Sequence, residues 1–277
     1  MLYRLLARPL VALICVLSMP AAMAEMACER MVATGQPDYP PFLWRDPQNP
    51  KRLIGAQADL LAHLGKELGI RIDVVYSSSK AKAESEVSSG RVDLLAGVSI
   101  TPQDLEHLDI VYPALFQQAD VVWVRNILSF PYIEWADLRE RRGASVGMDF
   151  SPAFKAYASE NLSLEQGANL AQLFDKLMAG ELDYVVAERE PGQLLANSKG
   201  LAKDLLALSP PIESTGLHLA ISHNSACNTP WLRGQLAKKM TELAATELPQ
   251  AWLEQNYILW QQHVLQAAST TDSPSNQ

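Results

Sequence analysis

The stretch 90–104, GRVDLLAGVSITPQD, leaves this chain the fewest choices. Gly90 reads as a helix C-cap. The apolar run 92–98 is too short for a helix and has glycines at its bounds, which predicts a buried strand. Ser99 and Thr101 then place hydroxyls at the strand's carboxyl end. Pro102 stops the strand and is suited to open a helix in its first turn. In open α/β sheets ligands bind just outside the carboxyl ends of strands. The stretch is therefore expected to form one wall of a small-molecule cleft in an α/β protein.

The pattern recurs once, at 180–188, where GELDYVVAE repeats the order glycine, aspartate, apolar run, alanine. A candidate helix precedes each copy. The second is strongly amphipathic, with Leu170, Leu173, Phe174, Leu177 and Met178 on one face. The first, 80–89, is weakly so. Two such units fit two similar α/β lobes, each offering a strand end to the other. They fit equally the ordinary punctuation of one α/β domain.

The N-terminus reads as a secretory signal over residues 1–24: Arg4 and Arg8, a short apolar core, then the small-residue site Ala22-Met23-Ala24. No later stretch is long and apolar enough for a membrane span. Loss of Arg4 and Arg8 would take the formal net charge from −8 to −10. An acidic chain without a Lys/Arg cluster argues against nucleic acid as a partner. Cys28 and Cys227 remain after cleavage. Export to an oxidising compartment makes them a disulfide pair, the alternative being two separate thiols. A bridge would place both ends of the chain in one lobe, and by loop entropy could contribute about 4–5 kcal/mol at most.

In chain order, 31–34 reads as a strand. Pro37, Pro40 and Pro41 then hold an extended loop that presents Tyr39, Phe42 and Trp44. Rigid aromatics on such a loop suit a ligand platform, with Phe42 turned to the core and Tyr39 to the cleft. Residues 58–68 form an amphipathic helix ended by Gly69, and 71–76 alternates as a strand.

Several segments occur together in order: Asp38-Tyr39-Pro40-Pro41-Phe42, then LIGAQADL at 53–60, KELGI at 66–70, SGRVD at 89–93, Ser99-Ile100-Thr101-Pro102 and LDIVYP at 108–113. Their order and spacing resemble the family 3 bacterial solute-binding proteins, the periplasmic receptors of polar amino-acid ABC importers. The resemblance covers nearly all of the chain after residue 24. It implies a two-lobed periplasmic-binding-protein fold of the α/β class, each lobe a mostly parallel sheet flanked by helices, with two hinge crossings at 121–125 and 217–222. Lobe 1 would be 28–119 plus 216–263 and lobe 2 would be 120–215. The Ser/Thr/Pro/Asn-rich end, 264–277, is expected to be disordered.

The resemblance also implies a site. An aromatic at Tyr39 would pack on the ligand, and Gly97, Ser99 and Thr101 would bind its amino and carboxylate groups. Trp44, Asp104, Ser151 and Glu188 complete the candidate set. The family's carboxylate-gripping arginine falls at Asp104, which cannot donate to a carboxylate and would repel it. Asp104, Glu188 and Asp149 around an aromatic floor suit a cationic ligand, such as an amine or betaine, with a cation–π contact of about 0.5–2 kcal/mol. Alternatively Asp104 caps the helix after Pro102 and faces solvent. Arg45, Lys80 or Arg189 would be the substitute cations.

The expected function is binding of a small polar solute for an ABC permease, by a monomer without metal or cofactor. A ligand-dependent regulator of a membrane sensor is the first alternative. A dehydratase-like enzyme on the same scaffold is the second, but neither a Gly-x-Ser-x-Gly elbow nor a His-Glu-x-x-His helix is present, and His218 and His223 are poorly spaced for a metal.

Overall fold

The central strands carry apolar residues at consecutive positions, so each sheet face needs its own cover of helices. The computed structural model describes residues 28–147 and 150–271. The first part of the chain contains β1 (Arg30–Gly35), β2 (Asp38–Tyr39), β3 (Leu43–Arg45), β4 (Leu53–Ile54), α1 (Ala56–Leu68), β5 (Arg71–Val74), α2 (Lys80–Ser88) and β6 (Leu94–Val98). The long strand β7 (Leu108–Arg125) leads to β8 (Arg142–Ser145), α3 (Pro152–Asn161), β9 (Ser163–Gln166), α4 (Leu170–Ala179), β10 (Tyr184–Glu188), α5 (Arg189–Ser198) and β11 (Leu205–Ala207). The strand β12 (Glu213–Ser222) returns, followed by α6 (Pro230–Ala244) and α7 (Leu248–Thr271).

The main sheet runs β5-β1-β6-β12-β7-β10-β8-β9, with β11 also on β7. β1 lies parallel to β5 and β6, and β8 parallel to β10 and β9. Between these two parallel halves, β7 and β12 pair antiparallel along both. The result is a two-lobed α/β fold. In the first half, Leu94 and Ala96 pack with Leu61, Leu64, Leu236 and Met240 of α1 and α6. Leu95 faces the other way, against Ala83 and Val87 of α2. In the second half, Val121, Trp123 and Val185 pack with Phe174 and Leu177 of α4, while Val122, Val124, Tyr184 and Val186 pack with Phe154 and Ala158 of α3. This alternation is the period of two that a strand imposes.

Several expectations need correction. The two crossings are present, and their strands extend beyond the expected segments: β7 has 18 residues and pairs with β12 from Leu108 to Asp120. Pro102 opens no α-helix, only the 3-10 turn Asp104–Glu106. The end expected to be disordered from 264 is helical to Thr271. Asn256, which donates to Asp59, and Trp260, stacked edge-on against Trp44 at 5.6 Å, hold α7 to the first half. A helix anchored this way tolerates a polar outer surface that reads as disorder in composition. Residues 1–24, Asp149 and 272–277 lie outside the described residues. Among the described residues no helix is long and apolar enough to cross a membrane.

Cys28 and Cys227 form a disulfide, with Cα atoms 5.4 Å apart. It joins the chain before β1 to the turn before α6. Replacing both by serine should therefore cost about 2–5 kcal/mol in urea unfolding at unchanged circular dichroism. A loss below about 1 kcal/mol would mean the bridge does little for the folded state.

Candidate functional site

A cavity of about 390 Å³ opens between the halves, beside the carboxyl end of β10. Its polar lining is Gln36, Tyr39, Gln118, Asp120 and Glu188, and Phe150 is part of its apolar wall. No basic side chain lines it among the described residues.

Tyr39 ends β2, just before the two prolines that turn the chain into β3. Its hydroxyl donates to Glu188 Oε2 at 2.5 Å, from the first half to the second. Gln118 Nε2 donates to the other oxygen, Oε1, at 3.1 Å. Glu188 pairs across the strands with Asp120, and Asp120 in turn pairs with Glu213. Three carboxylates therefore stand in one row across β10, β7 and β12.

Such a row is costly to ionise in a partly buried setting. Burial raises the Asp120 carboxyl to about 7, and the charges of Glu188 and Glu213 add to it. Burial also raises Glu188, opposed by the Tyr39 hydrogen bond and the charge of Lys80. Glu190 is raised by burial against the neighbouring Arg189. The Tyr39 hydroxyl is raised by burial and by Glu188, so it stays a donor. Full ionisation of this row is unfavourable, and a cation would relieve it.

The turn after β6 forms an adjoining recess, with Gln36, Lys80, Glu84, Gly97, Ser99 and Asp104 in its lining. Gly97 has φ +80°, and a Cβ there would stand 2.7 Å from Gln57 Nε2, so only glycine fits. Asp104 accepts from the Thr101 backbone N–H at 2.8 Å and from its hydroxyl at 2.7 Å. It caps its own turn. Ser151 caps α3 by accepting from the Phe154 N–H, and its own N–H donates to both oxygens of Glu213 at 3.0 Å.

Not every candidate residue reaches the cleft. Trp44 is 2% exposed and packs on Trp260 and His263. Its position on β3 turns the ring toward α7, so the expected ligand platform narrows to Tyr39. Arg45 stacks on Tyr76, 4.2 Å from the ring centre, and donates to the Pro50 carbonyl. Gln118, Asp120 and Glu213 are additions. The signal for the first two was present: polar residues two apart in the run Phe116-Gln117-Gln118-Ala119-Asp120-Val121, hence on one strand face. Glu213 carries no local signal. Among the described residues no group of three or more His, Cys, Asp or Glu side chains could hold a metal ion.

Two parallel half-sheets joined through long antiparallel crossing strands, with a polar cleft at the strand ends, define a periplasmic-binding-protein fold. The chain belongs to the bacterial extracellular solute-binding proteins, family 3, whose profile matches residues 31–250. Solved structures agree on the fold. The L-cystine solute receptor of Neisseria gonorrhoeae, in its unliganded open conformation, is 16% identical, with a TM-score of 0.65 over 81% of this chain and 92% of its own. An amino acid ABC transporter substrate-binding protein from Streptococcus pneumoniae, bound to L-arginine, is 19% identical, with a TM-score of 0.54 over 83% and 94%. A histidine kinase sensor domain is 22% identical, with a TM-score of 0.56 over 82% and 96%. No curated protein sequence matches the chain.

Asp120 gives a pH prediction. Its folded-state pKa lies above the unfolded value near 4, so the folded state gains from the protonated form. That gain is complete below about pH 4 and is lost as pH rises through about 7. Between pH 5 and 8 the urea midpoint of the ligand-free protein should fall more steeply than that of Asp120→Asn. Parallel pH profiles would remove Asp120 as a titrating group. Glu188 and Glu190 keep part of the slope in the variant.

Proposed function

We propose that the chain is a periplasmic receptor that closes on a small cationic, amine-type solute and presents it to an ABC permease. One observation carries this reading: a cavity between the halves holds Asp120 and Glu188 side by side with no basic side chain in its described wall. The ligand's ammonium group is held by these two carboxylates, with Gln118 orienting Glu188. The Tyr39 ring supplies the face on which the solute packs. Gly97, Ser99 and Thr101 form the second wall, and Asp104 and Ser151 set its charge through their turns.

The moving bodies are 28–119 with 216–263, and 120–215. Contacts made to both by one ligand favour the closed arrangement. Passage through a secretory signal at 1–24 delivers the chain to the periplasm, where it acts as a monomer. Binding of this kind needs no catalytic group, and the family consists of solute-binding proteins. A second reading, control of a membrane sensor without transport, draws on the likeness to the kinase sensor domain.

The test is a thermal-shift screen against amines, polyamines, amino acids and small carboxylates. A ligand at a hundred times its dissociation constant stabilises by about 2.7 kcal/mol, a readily measured rise in Tm. Amines should shift the protein and small carboxylates should not. Glu188→Gln should lower amine affinity by about 1.5–3 kcal/mol, the worth of a charged hydrogen bond. A shift confined to carboxylates would end the cationic reading.

A further inference from the structure

We propose that Asp104 and Glu213 act as built-in carboxylates that fill the donor sets of the two cleft walls, so that the site takes amines and rejects their α-carboxylated counterparts. This rests on the cationic reading of the cleft given above.

A carboxylate in a protein is held by convergent N–H and O–H donors, most often at a turn or at a helix N-terminus. A donor group stands beside each cleft wall, next to the lining residue Asp104 on one side and the lining residue Phe150 on the other, and each is taken by a carboxylate of the chain itself. At the turn after β6, the Thr101 N–H and hydroxyl both donate to Asp104 Oδ2, at 2.8 and 2.7 Å. These are charge-assisted lengths. At the start of α3, the Ser151 N–H is shared by both oxygens of Glu213, at 3.0 Å each. Pro152 has no N–H to offer and that of Phe154 goes to Ser151 Oγ, so that of Ala153 is the remaining donor of the first turn. Phe150, next to Ser151, lines the cavity, as does Asp120, the cross-strand partner of Glu213.

Glu213 reaches α3 from a different strand, 62 residues further along the chain, so its pairing with Ser151 is a tertiary contact rather than a local cap. A carboxylate tethered by the fold has an effective concentration no free solute matches. A ligand carboxylate entering either place would have to displace it and leave a charge without its donors. It would also face Asp120 and Glu188, a like-charge penalty that an amine does not meet. Lys80 is the one cation lining the recess among the described residues, and it is shared. Its ammonium stands 3.9 Å from Glu84, and its charge also acts on Glu188. Discrimination thus comes from occupied donors together with repulsion.

The experiment is isothermal titration of the chain lacking residues 1–24 with two pairs of probes, cadaverine against L-lysine and agmatine against L-arginine. Each pair differs by one α-carboxylate. The wild-type chain should bind the amine of each pair at least tenfold more tightly. Asp104→Arg frees the Thr101 donors and adds a guanidinium, and Glu213→Gln removes charge at α3. Each should narrow the gap by about tenfold or more, chiefly through tighter binding of the amino acid. Thermal unfolding curves establish that both variants are folded, and the wild-type comparison stands without them. Equal affinity within each pair for the wild-type chain would overturn the inference while leaving the cationic reading intact. So would a gap that both folded variants leave unchanged. Binding of the amino acids alone would overturn the inference, and binding of no probe at all would overturn the cationic reading and the inference with it.

Discussion

The pairing of β7 with β12 is the constraint on which the rest of the molecule depends. These two strands hydrogen-bond from Asp120 and Glu213 at one end to Leu108 and Ser222 at the other. Both parallel half-sheets are built outward from this ladder, β6 on one side and β10 on the other. Its register breaks between Leu217 and Leu219, where residues 112–115 of β7 are skipped. A ladder interrupted near its middle is stiff along each half and soft at the break, because a bulge leaves backbone groups unpaired and bends the strand.

The same ladder creates the electrostatic character of the site. Strand pairing brings Glu188, Asp120 and Glu213 into adjacent positions whatever their charge, because backbone hydrogen bonds set the register. The penalty appears as the raised Asp120 carboxyl, and is softened where Tyr39, Gln118 and the Ser151 N–H donate to the outer two. Asp120 has the least help of the three. A protein that retains such a row gives up stability in the empty state that a cation entering the cavity would return.

The helix α7 extends beyond the part of the chain that the family profile covers. It lies on the first half through Asn256, Trp252 and Trp260, and reaches the second through Tyr257, whose hydroxyl donates to the Glu190 carboxylate. Glu190 follows Glu188 by two residues. The middle of α7 is therefore tied to the strand end beside the cleft, although far from it in sequence. Trp44, which in sequence reads as part of a binding platform, is instead the socket for this helix.

Much of the fold was legible in the sequence. The strand at 92–98, its echo at 180–188 and the amphipathic faces of α1 and α4 are local patterns, and local patterns are set by the period of side chains along one element. The glycine at 97 was a candidate through the family resemblance, and its left-handed backbone is a finding of the structure. The Cys28–Cys227 pair could be read from export and from the count of two. The cap made by Asp104 was one of two alternatives for that residue, whereas the roles of Trp44 and Glu213 could not be read. Whether an aromatic faces a cleft or a helix, and whether a carboxylate meets solvent, a ligand or the N–H of a distant turn, depends on register between strands and on helix docking. The sequence by itself determined the alternation of elements, because hydrophobic periodicity acts over a few residues. Only the tertiary structure decided that the Ser151 N–H is taken, because the carboxylate that takes it lies 62 residues away along the chain.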